Sequence, residues 1–121
     1  MINKIKLSKD QVFNAIEKGE FDEGIIQSKD LVVVVMTQDW CPQWINMKNW
    51  IYAVETYKEV DVYELVYNNT EYFYEFMHFK ENVWKNSEIP YLRFYKNGKL
   101  VEETNYINRE RFKKALEFKI P

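Results

Sequence analysis

One cysteine, one histidine, three glycines and three prolines are spread over 121 residues, and each scarcity removes a class of protein. A single thiol excludes an internal disulfide and any metal site built from several thiolates of this chain. The lone histidine, His78, has no neighbour at ligand spacing, so it reads as a surface residue and no metal site is expected. No apolar run approaches the roughly 20 residues of a membrane-spanning helix, so a soluble protein with no membrane partner is expected. The stretch Met1 to Ser8 lacks the apolar core of a secretory signal, which points to the cytoplasm. Acidic and basic residues are interspersed to a net charge of −2 without a basic stripe, and a nucleic-acid partner is not expected.

Apolar residues, by contrast, make up 46% of the chain and aromatics 17%, enough for the core of one domain spanning residues 1–121. The first element is read as a helix: Ser8 with Gln11 forms a capping box, Val12 and Ile16 mark an apolar face joined less regularly by Phe13 and Ala15, and Gly19 supplies the stop. Phe21 to Ser28 is left as a short irregular element with Ile25 and Ile26 buried. The β-branched run Leu31 to Met36 predicts a strand covered on both faces. From Pro42, the residues Trp44, Met47, Ile51 and Val54 recur at helical spacing, widened by Ile45, Trp50 and Tyr57, with proline suited to the first helical turn.

Asp61 to Tyr67 reads as a second strand, and Asn68 with Glu71 as the start of a helix carrying Tyr72, Phe73, Phe76, Met77 and Phe79. The βαβα order implies parallel pairing. Tyr91–Tyr95 and Leu100–Thr104 flank Lys96-Asn97-Gly98-Lys99, and Asn-Gly between strand-like runs predicts a tight hairpin. A last helix follows Asn108, with Phe112, Ala115 and Leu116 on one face. The expected class is α/β, a central mixed sheet flanked by helices.

Chemistry concentrates where the first apolar strand delivers Trp40-Cys41-Pro42-Gln43-Trp44. A strand ending in a thiol at a helix start presents a nucleophile, and Ile89-Pro90 precedes the hairpin. These two separated signatures resemble the thioredoxin superfamily over nearly the whole chain. Lys96-Asn97-Gly98 is similar to the hairpin turn of thioredoxins, and the Gly-Gly signature of glutaredoxins is absent. The resemblance implies a thioredoxin-like fold, Cys41 as the nucleophile position, a cis proline at Pro90, and pairing of an extended substrate backbone with Ile89.

Departures from the pattern matter as much. A thioredoxin has Cys-Gly-Pro-Cys where this chain has Cys41-Pro42-Gln43-Trp44, and the family's buried aspartate aligns with Val35. Both losses fall on the resolving half of dithiol chemistry, in which a second thiol breaks the mixed disulfide intramolecularly. Asn86 stands where the family has an apolar residue. A helix start favours the thiolate, and cover by Trp44 opposes it, so the reactivity of Cys41 is open.

Two functions are therefore carried forward. In the first, Cys41 acts as a monothiol in thiol-disulfide exchange or redox sensing, with Trp40, Pro42, Gln43, Trp44, Ile89 and Pro90 binding the substrate. In the second, the domain is a redox-inactive binding or chaperone-like module. Either implies a protein or peptide partner, the first also glutathione, and neither calls for a cofactor. Gln38, Asp39 and Gln43 form a polar rim with no chemical step assigned. Packing suffices to explain Trp40 and Trp44, and Trp50 reads as core or helix flank.

Overall fold

A computed structural model describes residues 1–117. Five strands form one mixed sheet: β1 (Ile2–Lys6), β2 (Leu31–Thr37), β3 (Val60–Val66), β4 (Tyr91–Lys96) and β5 (Lys99–Thr104), in the order β1-β3-β2-β4-β5. β3 runs parallel to both β1 and β2, β2 pairs antiparallel with β4, and β4 pairs antiparallel with β5. All seven residues of β2 are buried, as its uninterrupted β-branched run requires of a central strand.

Side-chain alternation along β2 divides the core in two. Val32, Val34 and Met36 face helices α1 (Lys9–Lys18), α2 (Glu23–Ile26) and α4 (Phe73–Asn82), in a core that includes Val12, Ile25, Phe76 and Phe79. Leu31, Val33 and Val35 face α3 (Pro42–Met47) and α5 (Arg109–Leu116) with Trp44, Met47 and Phe112. The α1 capping box forms as expected: Ser8 N–H donates to Gln11 Oε1 at 2.8 Å, and Gln11 N–H to Ser8 Oγ at 3.2 Å. Asn97 and Gly98 have φ of 50° and 80°, the pair of positive values that a two-residue hairpin turn demands.

Three expectations about elements are corrected. The chain does not enter its first helix directly, because Ile2–Lys6 forms the edge strand β1, paired with Val60–Glu64. Only Ile2 and Ile5 are apolar there, and their spacing of three hides the alternation of a strand. The helix from Pro42 stops at Met47; i→i−3 bonds from Asn49 to Asn46 and from Trp50 to Met47 unwind it into a 3-10 turn at Ile51–Ala53. Ile51 and Val54 are still buried, but Tyr57 is fully exposed. Asn68 does not open α4, whose cap position is Tyr72; Asn68 is bonded to Asp39, and Glu71 pairs with Lys9.

Candidate functional site around Cys41

The C-terminal end of β2 leads into a turn, Gln38 to Cys41, tied to the loop after β3. Asp39 N–H donates to Asn68 Oδ1 at 3.0 Å, while the Asp39 carboxylate accepts from Asn68 Nδ2 at 2.8 Å and Asn69 Nδ2 at 3.1 Å. Asp39 is thus a structural clamp between two loops, and Asn68 and Asn69 were missing from the sequence-based site. Trp40 stands out from this turn with 60% exposure, its indole N–H donating to Gln38 Oε1 at 2.7 Å.

Cys41 caps α3 without a side-chain capping bond, and its carbonyl accepts from Ile45 N–H at 3.0 Å. The side chain turns inward: Cys41 is 3% exposed, and its thiol donates to the Ile89 carbonyl at 3.7 Å. The Ile89–Pro90 peptide bond is cis. Pro42 and Gln43 are exposed, Ile89 is half-buried and Pro90 is buried. Among the described residues the Ile89 N–H has no hydrogen-bond acceptor. The fold therefore brings Trp40, Cys41, Pro42 and Gln43 to one turn and joins that turn to Ile89 through the thiol, with an unpaired backbone donor at the junction.

No protein-family model matches the sequence, and no curated protein matches it. Solved structures do match. A mutant thioredoxin from Halobacterium salinarum NRC-1 superposes with a TM-score of 0.65 at 12% identity, covering 99% of this chain and 94% of that one. Thioredoxin f from spinach chloroplast, in its long form, gives 0.65 at 16% identity, covering 95% and 84%. A thioredoxin from Nicotiana alata gives 0.63 at 19% identity, covering 93% and 88%. The chain has the thioredoxin fold.

On this thioredoxin fold Trp44 fills the position where the resemblance would put a second thiol. Trp44 is 2% exposed and belongs to the same buried cluster as Cys41, Val35 and Phe112, so it fills the core instead of lining the rim. Val35, fully buried on β2, places a hydrocarbon where the resemblance would put a carboxylate. Trp50 is half-buried edge-on to Phe112 at 5.8 Å, and His78 lies exposed on α4.

The loop before Pro90 is held by polar side chains, of which only Asn86 stood out in the sequence. Lys80, on α4, is 1% exposed, and its ammonium donates to the carbonyls of Asn86 and Glu88 at 2.9 and 2.7 Å and to Asn86 Oδ1 at 3.3 Å. Asn86 and Asn105 exchange side-chain amide bonds at 3.0 and 2.9 Å, and Asn105 Nδ2 also reaches the Pro90 carbonyl at 3.0 Å. This explains a polar Asn86 where the resemblance called for an apolar residue. One signal was legible: Phe76, Phe79 and Lys80 fall at i, i+3, i+4, which puts the lysine on the buried stripe. Burial lowers the Lys80 ammonium to about 8, a shift partly offset by Glu81 and Glu88.

Proposed function

We propose that this chain docks an extended segment of a partner protein across the Trp40–Gln43 turn and Ile89, as a binding module that does not turn over disulfides. One observation carries the reading: the only thiol is 3% exposed and bonded inward to Ile89, while the rim around it and the Ile89 N–H are left open. An extended peptide that accepts from Ile89 N–H adds a strand-like contact, with Trp40 as an aromatic anchor beside it. No second thiol exists to release a bound disulfide.

The test is fluorescence anisotropy with a fluorescein-labelled decapeptide of Ser, Thr and Val. Trp40→Ala should weaken binding by about 1 kcal/mol or more, the range of an interface aromatic, and Cys41→Ser should leave it unchanged. Binding that is lost in Cys41→Ser and kept in Trp40→Ala would overturn the docking reading.

A second reading has its own support, since the Sγ lies 3.7 Å from the backbone against which a partner would dock. There the Cys41 thiolate attacks a disulfide of the partner or of glutathione. A mixed disulfide forms, one sulfur leaves as thiolate, and an external low-molecular-weight thiol later displaces Cys41. Intact mass after incubation with oxidised glutathione decides it: a glutathione adduct forming faster than on a free cysteine peptide supports single-thiol exchange, and a slower one removes it.

A further inference from the structure

The polar groups beneath the loop Asn86–Ile89 all act on one stretch of backbone. Lys80 and Asn105 between them capture the carbonyls of Asn86, Glu88 and Pro90. The carbonyls on both sides of Ile89 are thus drawn inward, and Ile89's own carbonyl receives the Cys41 thiol. With those oxygens fixed and the N–H groups of Asn86 and Glu88 bonded within the loop, the backbone donors left over in this stretch are those of Ser87 and Ile89, and Ile89 is the one joined to the Cys41 turn. Lys80 makes no ion pair with a carboxylate among the described residues: its hydrogen bonds go to neutral oxygens, and the carboxylates of Glu81 and Glu88 act on it only from farther away. A buried ammonium in that state is costly, and hydrogen bonds from a charged donor are roughly twice as strong as neutral ones.

We propose that Lys80, with Asn105, is a positioning residue that holds the Ile89 backbone ready for docking, so that the charge on Lys80 sets the affinity of the site; this rests on the docking reading above. Groups facing the ammonium are Glu81 on its own helix, Glu88 in the loop and the Tyr91 ring of β4 at 5.5 Å. Tyr91, pushed up to about 12 chiefly by burial, stays neutral through mildly alkaline pH. Lys80 itself, brought down to about 8 by burial, does not stay charged there. Loss of its proton removes one donor and replaces charge-assisted bonds by neutral ones, which lets the loop relax away from the rim.

The experiment follows the 121-residue chain from about pH 6.5 to about 9.5, a window that spans the lowered Lys80 value, by the Lys80 15Nζ resonance, the Ile89 amide resonance and the anisotropy of the same Ser/Thr/Val decapeptide. The Ile89 amide and the affinity should both move with the Lys80 resonance, with a midpoint near 8 and an affinity loss of about fivefold at the alkaline end. In Lys80→Met that coupled transition should vanish. An Ile89 resonance that ignores the titration of Lys80, or an unchanged transition in Lys80→Met, overturns the proposal. If Lys80→Met does not fold, co-titration in the unmodified chain decides alone. Ile89 following Lys80 with no peptide bound at any pH would uphold the positioning role and overturn the docking reading instead.

Discussion

Two tryptophans within one turn of Cys41 have opposite fates, and their difference defines the site. Trp44 is 2% exposed in the core with Met47 and Phe112, whereas Trp40 is 60% exposed and held by one bond to Gln38. Removing a buried indole leaves a cavity in addition to losing apolar burial, so Trp44→Ala should cost about 3 to 5 kcal/mol in urea unfolding. Trp40→Ala should stay within about 0.5 kcal/mol, as exposed substitutions do. A stability loss of several kcal/mol in Trp40→Ala would show that Trp40 packs into the fold and is not free to meet a partner. Asn86 makes the same point for polar residues. Its side chain would be an error in an apolar setting, and Lys80 and Asn105 convert it into a satisfied node.

The hairpin between β4 and β5 shows how a two-letter signal fixes an element. Gly98 has φ +80°, and a Cβ added there would lie 2.7 Å from Gln27 Cγ; Gly19 has φ +81° with nothing within 4 Å. Gly19→Ala should therefore cost only the left-handed backbone penalty, about 1 to 2 kcal/mol, and Gly98→Ala more, because Gln27 must also move. Equal losses in chemical denaturation would show that Gln27 yields freely. Where an element owes its existence to such local chemistry, it was legible in the sequence: the capping box of α1, the buried run of β2, the Asn-Gly turn and the Asn108 cap of α5. Elements that owe it to long-range partners were not. β1 becomes a strand because β3 lies beside it, and α4 begins late because Asn68 serves Asp39 across two loops. The candidate site divides likewise: Trp40, Cys41, Pro42, Gln43, Ile89 and Pro90 could be named from contiguous motifs. Lys80 and Asn105 reach the site only through the folded loop, from positions remote in sequence.

The whole molecule places two buried cores on opposite faces of one sheet and lodges ionisable groups at their edges, and this gives its stability an alkaline signature. Folding lowers Lys80 from 10.5 to about 8, because burial disfavours the charge. Between those values the unfolded chain binds more protons than the folded one, so stability rises with pH. Each tenfold loss of proton affinity on folding is worth about 1.4 kcal/mol, so the gain is on the order of 1 to 3 kcal/mol. Burial moves tyrosines the other way: Tyr91 is pushed up to about 12, and Tyr52, Tyr67, Tyr72 and Tyr95 are also raised. Above pH 10 the unfolded tyrosines lose protons that the folded ones keep, and stability falls. The urea midpoint should climb from roughly pH 7.5 to 9.5 and descend beyond about pH 10, and Lys80→Met should abolish the climb while keeping the descent. A midpoint that is flat or falling up to pH 9.5 in the unmodified chain would mean that Lys80 does not carry its proton at a cost in the folded state. Peptide affinity should fall over the pH range in which the midpoint climbs. Simple loosening of the fold would lower both together, so their divergence isolates the local action of Lys80 on Ile89 from its contribution to global stability.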